Sequence, residues 1–296
     1  MRRINVLDTT SKFKQHMATN GGYELEEARG KEKGRVRNTR CSIDKVKLMA
    51  AEVAQIPSYL KEEKVFRYDS ERHDLRSVVA RILQVTPESL HRIHELVEFR
   101  GPQRAGKPIL FHKRWANRKK HPLGLGDEFR AVLGRFVEYE VTKILNTTST
   151  VIYQKQPVLR SACPSSEPLG HAHRDEQYYR PPFEINIWVP LTKVFGTNSL
   201  WTESERGKGD MHPFECEYGE AVRFYGHQCM HMTKTNVTDS TRVSLDFRVV
   251  VKELFVENYI SPLTKKEQIA SPFMLGMTYT DTETEREWRR QNGWAI

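Results

Sequence analysis

A chain of 296 residues with 38% hydrophobic, 10% aromatic and 29% charged side chains has the composition of an ordinary globular protein. It holds no apolar run long enough for a membrane-spanning helix, and the opening MRRINVLDTTSKFKQ lacks the apolar stretch of a secretory signal, so a cytoplasmic location is expected. The formal charge of +9 raises nucleic acid as a partner. However, the clusters that supply much of it, RGKEKGRVRNTR (29–40) and HKRWANRKKH (112–121), stand in no nucleic-acid-binding signature, and a solvated face or a field drawing in a small anion fits them better.

Residues 1–50 read as a basic, partly flexible N-terminal region with little periodicity. Residues 51–147 read as mainly helical support. Within them, DLRSVVARILQ places Leu75, Val78, Val79 and Ile82 on one helical face. TPESLHRIHELV follows, with Thr86 as N-cap, Pro87 at the first helical position, and Leu90, Ile93 and Val97 on one side. His91 and His94 on that segment read as surface histidines. After a Gly- and Pro-punctuated connection (100–126), DEFRAVLGRFVEYEVTKILN predicts a helix from Asp127 that buries Phe129, Val132, Leu133, Phe136, Val141 and Ile144.

From 148 to 255 the texture changes to short runs rich in β-branched and aromatic residues, bounded by Gly, Pro and Asn: TSTVIYQKQPVLRSA, FEINIWVPL, NSLWTES, GEAVRFYG and TRVSLDFRVVV. Such spacing predicts an antiparallel sandwich or barrel with the earlier helices packed outside, an α+β protein with a mainly β core. Residues 256–296 read as a C-terminal extension of loop signals with an acidic and aromatic tail, expected to pack near the active site, the whole forming one compact domain. Four cysteines without CxxC or zinc-finger spacing read as reduced thiols.

The chemistry concentrates in GHAHRDEQYYRPPFEINIWVPLT (170–192). In extended chain the side chains of His173 and Asp175 share a face. A single HxD carries little weight alone. Downstream, in FYGHQCMHMTKTNVTDSTRVSLDFRVV, His231 is followed eleven positions on by Arg242, and Arg242 by Ser244 two further on. Two histidines and a carboxylate are the facial set that holds non-haem Fe(II). An arginine with a hydroxyl on the same strand face is a ready clamp for a carboxylate. His171 would replace His173 only by losing the x-spaced carboxylate, and His227, fifteen residues before Arg242, is a rival to His231.

Together with HRDEQYY, PPFEINIWVPLTKVFGTNSLWTES and GEAVRFYG–QCMH, this pattern resembles the Fe(II)/2-oxoglutarate-dependent dioxygenase superfamily over about residues 150–251. Within it, the pattern is similar to the small-molecule branch of streptomycin-biosynthesis type and, more distantly, to phytanoyl-CoA hydroxylases. The resemblance implies a double-stranded β-helix, a jelly-roll catalytic core flanked by N-terminal helices. It also implies Fe(II), 2-oxoglutarate and O2 as cofactor and co-substrates. It assigns the metal to His173, Asp175 and His231 and the distal carboxylate of 2-oxoglutarate to Arg242 and Ser244. Gln156 and Arg160 match in parity the family strand that contacts co-substrate and substrate.

Asn186 and Trp188 share a strand face, where the asparagine touches substrate or makes a structural hydrogen bond. Asn198 sits where the family has a pocket-lining strand. Arg248 shares the face of Arg242, to bind a substrate carboxylate or pair with an outward acid. No catalytic residue is expected beyond the metal centre. The expected function is oxidation of a C–H bond in a small, polar, carboxylate-bearing metabolite, by hydroxylation, cyclisation or desaturation. A demethylase or hydroxylase of nucleic acid or protein, and a non-catalytic metal-binding jelly roll, are the alternatives.

Overall fold

The structure, a computed structural model, describes residues 36–96, 114–115, 117–164, 171–263 and 275–294. The chain divides into two units, Met1–Cys41 and Ser42–Ile296, and the fold below is that of the second. Most of the basic region expected over 1–50, including the 29–35 part of its charge cluster, lies outside the described residues; from Val36 the chain is helical (α1, Val36–Ala54).

The expected helices form where the apolar spacing places them. Helix α2 (Leu75–Leu83) is capped by Asp74, whose carboxylate accepts from Ser77 N at 2.9 Å, and it ends at Gln84 in the left-handed region (φ 60°). The TPESLHRIHE stretch differs from expectation: Pro87–Glu95 is a 3-10 helix. Its i, i+3 repeat sets the buried Leu90 and Ile93 on one edge, while Val97 lies outside the described residues. Helix α3 (Leu125–Phe136) begins two residues before Asp127 and continues through a π turn (Val137–Val141) to Ile144, burying all six apolar residues expected to face inward.

Seven strands build one antiparallel sheet: β1 (Lys64–Arg67), β2 (Val151–Gln154), β3 (Val158–Ala162), β4 (Ile185–Pro190), β7 (Glu220–Phe224), β9 (Arg242–Val251) and β10 (Tyr279–Asp281). Their order is β1-β7-β4-β9-β2-β10, and the first half of β9 pairs with β3. A smaller sheet runs β6 (His212–Pro213), β5 (Leu200–Thr202), β8 (His231–Thr233), and an antiparallel bridge from His173 to His231 adds the HxD segment beyond β8. Neighbours are non-consecutive throughout the large sheet and between β5 and β8 of the small one, as the crossovers of a jelly roll require, and the two sheets do not close into a barrel.

Strand alternation divides the apolar residues between two cores. On β4, Ile185, Ile187 and Val189 join Val243, Leu245, Phe247 and Val249 of β9 under the helices, against Phe129, Leu133 and Phe136. Trp188 instead turns inward and packs with Val194, Phe214, Val222 and Phe224. Every β4 residue is buried, because one face meets helices and the other the sandwich interior. Arg223 of β7 locks the helical layer to the sheet, donating to the carbonyls of Ile144 (2.5 Å) and Tyr59 (2.6 Å).

The C-terminal segment holds two elements that its loop signals did not suggest. Strand β10 pairs with β2 at the far end of the large sheet, and α4 (Thr282–Gln291) packs on α3. Its Arg130–Glu285 ion pair (2.7 Å) ties the two helices. Residues 275–294 of the segment pack on the sheet edge, and Tyr279 donates to buried Glu184 inside the fold, while residues 264–274 lie outside the described residues. No helix among the described residues is long and apolar enough to cross a membrane.

Candidate metal centre and carboxylate clamp

Backbone pairing brings the three expected ligands together. His173 and His231 exchange both hydrogen bonds of an antiparallel bridge (3.0 and 2.9 Å), so their side chains leave the same face and the rings lie 4.3 Å apart. Asp175 opens a 3-10 turn, with its amide donating to the Gly226 carbonyl at 2.9 Å. One ligand atom from each residue falls within 4.8 Å of the others, and Asp175 Oδ1 stands 3.9 Å from each histidine Nε2.

The tautomers follow from the backbone. His173 Nδ1 lies 2.9 Å from the His171 carbonyl and His231 Nδ1 lies 3.0 Å from the Cys229 carbonyl. A carbonyl only accepts, so each Nδ1 carries the proton and each Nε2 presents its lone pair toward Asp175. Burial lowers the His231 pKa, against the pull of the Asp175 charge, and so favours the neutral ring that a metal needs.

Asp175 is held charged. Burial alone would raise its pKa, but Arg248, His231 and the Asn186 amide outweigh this and keep the carboxyl well below the usual range. Arg248 donates through Nε (3.2 Å) and Nη2 (2.9 Å) to Oδ2, and Asn186 Nδ2 donates to the same oxygen at 3.1 Å. The Asn186 carbonyl in turn accepts from Gly226 N at 3.1 Å, which orients the amide. For Arg248 neither expected partner is found, and for Asn186 the structural hydrogen bond is the reading seen. Arg248 is buried against the ligand carboxylate, neither reaching out to a surface acid nor free for a substrate. Asn186 holds Asp175 rather than a substrate. Register explains both, since Asn186 and Arg248 are directly paired across β4 and β9.

The clamp residues lie on the same inward face. Arg242 and Ser244 are fully buried, with Arg160 of β3 opposite Ser244. Arg242 Nη1 donates to the Asn198 carbonyl at 3.1 Å, while Nε, Nη2 and the Ser244 hydroxyl have no partner among the described residues. Burial, with repulsion from Arg160, pushes the Arg242 guanidinium down to about 9. Orphaned buried donors are rare in native proteins, and three of them on one strand face suit an oxyanion ligand.

A cleft joins these groups, lined among others by Arg160, His173, Trp188, Phe224, His231, Arg242 and Arg248. The remaining expected residues sit elsewhere. Asn198 is buried beneath the clamp, its side-chain oxygen accepting from Phe195 N at 2.8 Å. Gln156 falls in the exposed bend between β2 and β3, because Pro157 breaks the strand that parity counting had carried through it. His227 is buried without a hydrogen-bond partner among the described side chains and stands outside the ligand cluster. His171 is exposed at the cleft.

Glu203, passed over in the sequence, is a hub behind the ligands. Its carboxylate accepts from Arg174 Nη2 (3.1 Å), between the two HxD ligands, and from Met230 N (2.7 Å), next to His231. A basic residue forced to the buried face of an HxD strand is a signal that an acid waits behind it, but the acid's position is visible only in the fold.

No family model matches the chain. The streptomycin biosynthesis protein StrG of Streptomyces griseus is 34% identical over 143 residues, which are 48% of this chain and 66% of that protein, just under two thirds of its length. Solved structures with a related outline share little sequence. The non-heme alpha-ketoglutarate-dependent carbocyclase SnoK of nogalamycin biosynthesis is 12% identical, covering 77% of this chain and 97% of its own, at a TM-score of 0.46. A 2OG-Fe(II) oxygenase-family oxidoreductase from Burkholderia pseudomallei is 14% identical, covering 68% and 89%, at a TM-score of 0.35. In sequence the chain is a relative of a streptomycin-biosynthesis protein, and its candidate His-Asp-His metal site and jelly-roll sheet order resemble those of the Fe(II)/2-oxoglutarate-dependent dioxygenase superfamily.

Proposed function

We propose that the protein is an Fe(II)- and 2-oxoglutarate-dependent oxygenase acting in the cytoplasm on a small, polar, carboxylate-bearing metabolite of a biosynthetic pathway. The observation that carries this reading is the orphaned guanidinium of Arg242, which lines one cleft with His173 and His231 and has the unpartnered Ser244 hydroxyl on its own strand face. A metal-only site would have no use for a buried, unpaired guanidinium beside it.

The donor set fits Fe(II): two neutral imidazoles and one carboxylate, all presented from one side, leave the opposite side open to exchangeable ligands. When bound, iron and 2-oxoglutarate supply the oxidation of a C–H bond by O2, coupled to decarboxylation of 2-oxoglutarate to succinate. The chain's own residues supply the rest. Arg242 and Ser244 grip the distal carboxylate, and the Trp188 ring and Phe224 exclude water from the floor. Arg160, half-exposed at the cleft, meets the substrate's anionic end. Arg248 and Asn186 hold Asp175 in place throughout. Hydroxylation, cyclisation and desaturation share these requirements, and the relation to StrG supports a natural-product substrate. A nucleic-acid polymer fits less well. Arg118 of the 112–121 cluster is buried, so that run is not a continuous basic face.

Anaerobic titration with Fe(II) and then 2-oxoglutarate tests this. A visible charge-transfer band that needs both is expected; bound iron with no band on adding 2-oxoglutarate would leave a metal-binding jelly roll without co-substrate.

A further inference from the structure

A second cavity, larger than the metal cleft, lies at the β2 and β10 edge of the large sheet. This space of about 200 Å³ lies between the 3-10 turn Arg118–Lys120, the start of α3, strands β2 and β10, and α4, and it shares no lining residue with the metal cleft. Arg118 supplies its most buried cation. The residue is 5% exposed, and its guanidinium sits 4.0 Å from the Trp115 ring and 5.6 Å from that of Phe129. Its one protein hydrogen bond among the described residues runs from Nη1 to the Trp115 carbonyl at 2.7 Å, and no carboxylate pairs with it. Tyr153 is buried in the same wall, so its side chain lines the interior of the cavity.

The charges lining the cavity do not cancel. Glu285 is answered by Arg130, which binds it through two nitrogens (2.7 and 3.1 Å). Asp127 is exposed on the first turn of α3. Against it stand Arg118, Lys119 and Lys155, of which Lys155 donates to the Gly276 carbonyl at 2.8 Å. Burial, then the nearby charges of Arg118, Lys155 and Arg130, lower the Lys119 pKa, so these cations are held together against their repulsion. Gly126 lets α3 start close to this turn, since a Cβ there would stand 2.6 Å from the Arg118 carbonyl. The positive end of α3 adds to the same field.

We propose that this cavity is a second binding site, for a small oxyanion, the carboxylate or phosphate group of a metabolite. Arg118 and the Tyr153 hydroxyl bind the oxygens in the interior, and Lys119 and Lys155 supply charge at the rim. The site is independent of the metal and of the proposed oxygenase reaction. It also gives a use to the basic 112–121 run, which the metal cleft leaves unexplained.

Calorimetric titration of the metal-free full chain at fixed ionic strength tests it, with inorganic phosphate and citrate as separate probes. Wild type is expected to bind at least one of them with a dissociation constant near or below about 1 mM. Phosphate alone would mark a phosphate site, and citrate alone a carboxylate site. Arg118→Met should weaken binding about tenfold or more. The milder Lys119→Ala and Tyr153→Phe, which leave the packing of Arg118 untouched, should each weaken it at least about threefold. Arg242→Met controls for anion capture in the metal cleft and should bind as wild type does. No binding by wild type would overturn the proposal. So would binding that vanishes in Arg242→Met but survives in Lys119→Ala and Tyr153→Phe.

Discussion

Replacing Arg242 by methionine should make the metal-free protein more stable while removing its grip on 2-oxoglutarate. The guanidinium is fully buried with two nitrogens unpaired, and burial pushes its pKa down from the ordinary arginine range to about 9. At about 1.4 kcal/mol per unit, the folded state disfavours this cation by roughly 5 kcal/mol. Methionine keeps a similar reach in the cavity, but the Asn198 carbonyl loses its donor, which costs about 1–3 kcal/mol. The balance is a gain of about 2–4 kcal/mol, or a melting point higher by roughly 5–10 °C.

The sign follows from which state prefers the proton. Below pH 9 both states carry the charge and the penalty is constant, so the gain holds at neutral pH. It fades as the pH climbs through about 9, where the folded wild type sheds the proton first. Calorimetric melting of wild type and Arg242→Met, with and without Mn(II) plus 2-oxoglutarate, reads both effects. The co-substrate at a hundred times its dissociation constant should add about 2.7 kcal/mol to wild type and nothing to the variant. A metal-free variant that melts lower than wild type, or one still stabilised by 2-oxoglutarate, refutes the reasoning.

Three other perturbations probe the shell around the ligands. Asp175→Asn leaves Arg248 buried without its hydrogen-bonded carboxylate, Glu184 standing off at 3.8 Å, and should cost up to about 3–5 kcal/mol in the metal-free protein at neutral pH. The Asp175 pKa is depressed, so its contribution is present above the ordinary aspartate range and lost as pH falls below it; the gap between the two proteins' denaturant midpoints should therefore narrow toward acid. His227 is buried neutral with its pKa pushed down to about 4, so acidification from 6.5 toward 4 favours the unfolded chain, by at most about 3 kcal/mol from this group. His227→Leu should lose less stability than wild type over that interval, and parallel pH curves would contradict the assignment. Gly226→Ala would set a Cβ 2.8 Å from the Asn186 side-chain oxygen and push that amide off Asp175. Ni(II) affinity by calorimetry should then fall about 10–100-fold, and unchanged affinity would show that Asn186 does not orient the ligand.

The clustering of His173, Asp175 and His231 was legible because these residues sit in two short, well-spaced motifs, and the period of two put His173 beside Asp175 and Arg242 beside Ser244 before any pairing was known. The same parity placed Arg248 on the correct face but could not say what it met there. That depended on β4 lying next to β9 with Asn186 opposite Arg248, and on the turn after His173 dropping Asp175 onto both. Gln156 shows where parity fails. The count through it assumed one unbroken strand, whereas the bend before Pro157 resets the phase between β2 and β3.

Helix α4 escaped for a different reason, and it marks a general limit of reading apolar periodicity. TETEREWRRQ has one apolar residue, Trp288, so no hydrophobic stripe exists to detect. Its buried face is polar instead: Thr282, Glu285 and Arg289 recur at i, i+3 and i+7 and are covered by α3 and β2. Each of the two charges is matched across the contact, Glu285 by Arg130 and Arg289 by Glu138. A helix docked through ion pairs looks, in sequence, like a solvated tail. Its start is fixed locally, since Asp281 accepts from Thr284 N at 2.8 Å and the acidic residues Glu283 and Glu285 open the first turn. Because the docking rests on buried pairs, removing one partner should cost more than an equivalent surface pair would, as the survivor is left charged and desolvated.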